Sequence, residues 1–141
     1  MLTGIPPALT GELLAVLDAM GHSDAIVLAD AHFPAARLAR RLIVVPTSGT
    51  PELLRAVRTV VPLDDSPALD LMRSADGKLL PVQRELIAAA GGPDDAVRFL
   101  GREEFYAVAA EAFAVVRTGE TAVYGNVVLR KGVVSPTGPT P

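Results

Sequence analysis

The chain of 141 residues contains no cysteine and only two histidines. Without thiols there are no disulfide staples and no thiolate metal sites, and two imidazoles make a poor zinc set, so no metal is expected. An excess of positive charge is also missing: 13 Lys and Arg stand against 16 Asp and Glu, a formal charge of -3, and neither sign runs in blocks. The footprint of a nucleic-acid binder is therefore absent, and small neutral ligands are easier to credit. No stretch approaches the roughly 20 consecutive apolar residues of a membrane span. The first 20 residues carry Glu12 and Asp18 and do not read as a signal peptide, so a soluble cytoplasmic chain is expected. The glycines are scattered, with neither a Gly-x-Gly-x-x-Gly run nor a phosphate-binding loop.

Half of the residues are apolar, enough for the core of one compact domain at this length. Leu13, Val16, Leu17 and Met20 recur at helical spacing, which predicts a helix over 12–20 with Thr10 as its cap and Gly21 as its stop. A short apolar strand is expected at 25–29. After a basic patch at Arg37–Arg41, a second strand follows at 42–45 and ends at Pro46. Thr50-Pro51-Glu52 combines a capping hydroxyl, a proline for the first turn and an acid, and starts a helix to about 59. Residues 60–63 look extended, and Asp64-Asp65-Ser66-Pro67 breaks the chain. A helix over 81–90 is closed by Gly91-Gly92, and a strand suits 96–100. Phe105, Val108, Ala109, Ala112, Val115 and Val116 form an apolar stripe that predicts one helix over 102–117, stopped by Gly119. The run 122–130 reads as a strand, and the Pro/Gly/Thr tail from 134 as disordered. Alternating strands and helices argue α/β, with helices covering a mixed sheet.

The most informative stretch is Met20–Pro34, where polar groups stand at both ends of the apolar strand: His22 and Asp24 before it, Asp30 and His32 after it. Ligands of open α/β sheets lie at the carboxyl ends of strands, which directs attention to Asp30. From spacing alone, each of these has a plain structural reading as well. His22 beside Gly21 could serve a helix end, Asp24 a turn, Asp30 the turn after the strand, and His32 the rim of a pocket.

Three blocks in order carry a resemblance: Leu2-Thr3-Gly4-Ile5-Pro6-Pro7, Gly21-His22-Ser23-Asp24 leading to Ala29-Asp30-Ala31-His32-Phe33-Pro34, and Tyr124-Gly125-Asn126 with Lys131-Gly132-Val133. Together they resemble the L-fucose mutarotase / D-ribose pyranase (RbsD/FucU) sugar mutarotase family over residues 1–133, nearer to its fucose branch. The resemblance implies a cofactor-independent isomerase acting on L-fucose or a related monosaccharide, in a ring-like homo-oligomer, commonly a decamer, with sites near subunit boundaries. Carried over by position, His22 is the proton donor, Asp30, Tyr124 and Asn126 bind sugar, and Arg102 matches a ligand-contacting arginine. Tyr106 and Asp64 match positions of a proton relay. The segment after Asp64 looks shorter than is usual in the fucose branch, so the pocket's closing loop is expected to differ.

These residue types suit the reaction. Mutarotation protonates the ring oxygen while a proton leaves the anomeric hydroxyl, which requires an acid and a base and no cofactor. Histidine is the side chain that gives and retakes a proton near neutral pH, and positioned proton transfer is worth about 10²- to 10⁴-fold. Asp30 can accept two hydroxyls, Asn126 can donate and accept, Arg102 offers a fork of donors, and the two tyrosines can stack or relay. Plain readings remain for the others: Tyr106 as a half-buried aromatic with a wet hydroxyl, Asp64 as an ordinary turn residue, and Arg102 as a helix start. In that last position a cation opposes the helix dipole and asks for another reason. D-ribose pyranase and a non-catalytic monosaccharide-binding protein are the alternatives.

Overall fold

The computed structural model describes residues 1–136, so the greater part of the expected tail, 137–141, lies outside the described residues. The helices are α1 (Gly11–Ala19), α2 (Ala35–Leu38), α3 (Thr50–Arg58), α4 (Pro81–Ala90) and α5 (Arg102–Glu111). The strands are β1 (Ala25–Ala29), β2 (Leu42–Val45), β3 (Leu69–Met72), β4 (Val97–Leu100), β5 (Ala114–Thr118) and β6 (Val127–Arg130). They form one sheet in the order β2-β5-β1-β6-β3-β4. Five strands run parallel, and β6 alone opposes its neighbours β1 and β3.

Helices cover both faces, which is why the central strands are apolar on both sides. Ile26 and Leu28 of β1 face a core with Leu13 and Leu17 of α1, Leu53, Leu54 and Val57 of α3, and Leu86 of α4. Val27 and Ala29 point the other way, toward Phe33, Ala35 of α2, and Phe105 and Ala109 of α5. Two local signals hold. The Thr10 hydroxyl accepts from Leu13 N at 3.2 Å to cap α1, and Gly91, at φ 65°, ends α4.

Three expectations are corrected, and one strand is added. Thr50 does not cap α3: Gly49 does, and Thr50 lies inside the helix, fully buried, with its hydroxyl 3.0 Å from that of Thr118. The stripe over 102–117 is not one helix. α5 stops at Glu111, and Ala114–Thr118 becomes the strand between β2 and β1, where buried Val115 and Val116 pack on opposite faces. β-branched residues favour that extended setting. The strand expected over 122–130 shrinks to β6, because Tyr124 takes φ 63° and 122–124 turn. Finally, Leu69–Met72 is a buried strand that no local pattern predicts.

Candidate active site

Asp30 follows β1, Met72 ends β3, Arg102 opens α5 just after β4, and Asn126 precedes the antiparallel β6. All four therefore stand at one edge of the sheet. With His32, Phe33, Tyr106, Val123 and Tyr124 they line a cavity of about 280 Å³, the scale of a small-ligand pocket. A larger hollow of about 530 Å³ between Pro6–Ala8 and α3 holds none of the candidate residues.

The turn carrying Asp30 is over-determined. Its Oδ1 accepts from His32 N at 2.9 Å, and its own backbone N–H donates to Asn126 Oδ1 at 2.8 Å. Both side chains are buried, at 3% exposure each. Asp30 is thus the turn residue of its plain reading, and it still keeps Oδ2 without a hydrogen-bond partner among the described residues. Asn126 likewise keeps its amide N–H groups. The Tyr106 ring stands edge-on to Phe33, with centroids 5.5 Å apart, and Phe33 repeats that contact with Phe105 at 5.8 Å. Pairs of this kind fix ring positions. Among the described residues Arg102 has no ion-pair partner, so its guanidinium is available to the cavity it lines.

Tyr124 reaches the cavity from a strained backbone, and the loop that holds it there escaped the sequence reading. The Thr118 hydroxyl donates to Ala29 O at 2.8 Å and accepts from Glu120 N at 3.1 Å. Glu120 in turn accepts from Ala31 N through its carbonyl and from Ala122 N through its carboxylate. Glu120 thereby clamps the loop after β1 to the turn bearing Tyr124. Gly119 permits this, since a Cβ there would lie 2.1 Å from Pro46 O. Met72 and Val123 were missed as lining residues because their positions depend on β3 and on the Tyr124 turn.

His22 and Asp64 are not in this cavity. They meet at the opposite edge of the sheet, across β1, whose five residues span about 16 Å. His22 Nε2 lies 3.0 Å from Asp64 Oδ1. A carboxylate only accepts, so Nε2 carries the proton, and Nδ1 has no hydrogen-bond partner among the described residues. The imidazole is 61% exposed and the carboxylate 13%. The helix-end reading of His22 fails, because Lys131 Nζ takes the carbonyls of Leu17 and Met20, at 2.7 Å each. Asp24 serves its turn, with Oδ2 accepting from Gly21 N at 2.7 Å. The Asp64 carboxyl is held below the usual carboxylate range, first by the Ser23 hydroxyl, then by the Asp65 N–H, and further by His22.

Ser23, at φ 68°, and Tyr124 are the only non-glycine residues with positive φ among the described residues. One adjoins His22 and the other lines the cavity, which is the pattern of strain kept at functional positions. Among the described residues, no three of His, Cys, Asp and Glu gather to hold a metal ion, and no helix is long and apolar enough to cross a membrane.

The sequence is 44% identical over 146 residues to the fucose mutarotase of Homo sapiens, covering 95% of each chain. It is 42% identical over 141 residues to the L-fucose mutarotase of Haemophilus influenzae, covering 94% of this chain and 97% of that one. The fold matches the fucose mutarotase of Streptococcus pneumoniae solved in complex with L-fucose, with a TM-score of 0.86, 38% identity, and coverage of 95% of this chain and 100% of that one. The model of the RbsD / FucU transport protein family matches residues 3–134. By that match and by these full-length relatives, the chain belongs to the RbsD / FucU family.

Proposed function

We propose that this protein is a cofactor-independent sugar mutarotase that interconverts the α and β anomers of L-fucose, with His22 as the proton donor and acceptor. One observation carries the reading: three segments distant in sequence bring Asp30, Arg102, Tyr106, Tyr124 and Asn126 to one small cavity. The set is rich in hydroxyl-binding groups, and Phe33, Met72 and Val123 give it apolar walls, which suits a neutral 6-deoxy sugar. Relatives named for fucose mutarotation support the same substrate.

In this reading Asp30 and Asn126 bind sugar hydroxyls, Arg102 donates to ring or hydroxyl oxygens, and Tyr124 packs against the sugar. His22 exchanges the proton at Nδ1 while Asp64 steadies the imidazolium through Nε2, and Tyr106 relays the second proton. Because His22 lies across the sheet from the cavity of its own chain, the acid/base group comes from a second copy, in a ring-like homo-oligomer such as a decamer. One feature supports this: His22 is 61% exposed, which leaves its imidazole open to a neighbouring copy.

Exchange NMR on the anomeric protons of L-fucose and D-ribose tests the reading. Wild type accelerates exchange of L-fucose, and His22→Ala loses about 10²- to 10⁴-fold of that acceleration while keeping sugar affinity. Acceleration of D-ribose alone would assign the chain to pyranase chemistry. Binding without any acceleration would make it a sugar-binding protein.

A further inference from the structure

We propose that Ser23 is a positioning residue for His22: from a left-handed backbone it donates its hydroxyl to Asp64 and fixes the carboxylate that holds the imidazole. The inference rests on the mutarotase reading above. Ser23 Oγ lies 2.5 Å from Asp64 Oδ2, while Oδ1 of the same carboxylate takes His22 Nε2 at 3.0 Å and Asp65 N at 2.9 Å. Each carboxylate oxygen is thereby committed, and the plane of Asp64 is set from two sides.

The backbone makes this arrangement informative. Ser23 is exposed and its φ of 68° is a conformation that glycine adopts freely and most other residues resist. A serine there gives up stability that glycine would keep, and what it supplies in return is the hydroxyl. The neighbouring groups leave that role to it. Lys131 Nζ is spent on the carbonyls of Leu17 and Met20, and Asp24 on Gly21 N. On its other side Ser23 shares a hollow with Arg40, Arg41, Glu111 and Arg130, of which Arg40 pairs with Glu111 and Arg130 with Asp70. None of them donates to Asp64.

Two substitutions separate positioning from plain structure. Ser23→Gly removes the hydroxyl and relieves the backbone, so thermal stability holds or rises while L-fucose exchange falls about three- to tenfold, the weight of one hydrogen bond. The acid limb of its rate–pH profile also moves to higher pH, because Asp64 loses a donor to its charged form. Ser23→Thr keeps the hydroxyl but puts a β-branched residue at positive φ, so stability falls while the pH profile stays that of wild type. Wild-type rate and pH profile in Ser23→Gly, or a rate that merely tracks stability in both variants, would overturn the proposal. Failure of the mutarotase reading would show differently, as absence of L-fucose exchange in the wild type itself or as undiminished exchange in His22→Ala.

Discussion

Asp64 uses both carboxylate oxygens, so its charge is the property that substitution should probe. The hydroxyl of Ser23, the N–H of Asp65 and the imidazole of His22 all favour its ionised form, and its folded pKa lies below the ordinary 3.8. A depressed carboxyl stabilises the fold above its unfolded pKa and loses that contribution as pH falls through the folded value. Asp64→Asn removes this dependence. Its stability, followed by thermal unfolding, should therefore fall less than that of wild type on acidification below about pH 4. The same variant should lose roughly tenfold or more of the exchange rate at neutral pH, because its neutral amide no longer stabilises the imidazolium. An acid profile identical to wild type would show that the carboxyl is not perturbed by folding.

Strand β6 ties the two loops of the His22 edge together. Ser23 N donates to Lys131 O, Lys131 N to Asp24 O, Asp64 N to Arg130 O and Gly132 N to Pro62 O, all within 3.0 Å. Gly132 is required by this crossing, since a Cβ there would lie 2.2 Å from Leu63 O. Gly132→Ala should therefore push the Leu63–Asp64 segment away from His22. We expect a loss of about 1–3 kcal/mol in urea unfolding, the range of overpacking, together with slower exchange; an alanine tolerated without loss would mean that the crossing has room for a side chain. This element also shows what sequence could deliver. The Lys131-Gly132-Val133 block was legible as part of a resemblance, but its reason is a backbone contact with a residue far away in sequence. Strands β1, β2 and β4 and helices α1, α3 and α4 were legible because caps, prolines, glycines and apolar spacing are local. The α5–β5 boundary was not, since Ala112-Phe113-Ala114-Val115-Val116 is continuously apolar and fits either period. β3 was hidden by Asp70, an acid in a fully buried strand. Arg98 at 2.9 Å and Arg130 at 2.8 Å satisfy it, and neither is near it in sequence.

At the scale of the whole molecule, the sheet separates two groups of candidate site residues by the length of a strand. Asp30, Arg102, Tyr106, Tyr124 and Asn126 share one edge, whereas His22 and Asp64 pair at the other. The sequence placed polar residues at both ends of β1, but residue spacing alone does not say how far apart two such groups stand; the rise of an extended strand sets them about 16 Å apart within one chain. The proposed function thus depends on copies of the chain meeting edge to edge, with each cavity facing a neighbour's imidazole. Subunit complementation tests this most directly. His22→Ala and Asp30→Ala chains, each inactive in L-fucose exchange alone, are co-expressed with different tags and the mixed assemblies isolated. If sites form between copies, some interfaces pair an intact His22 with an intact cavity, and random mixing restores about a quarter of the wild-type exchange rate. Mixed assemblies as inactive as either parent would contradict the shared site.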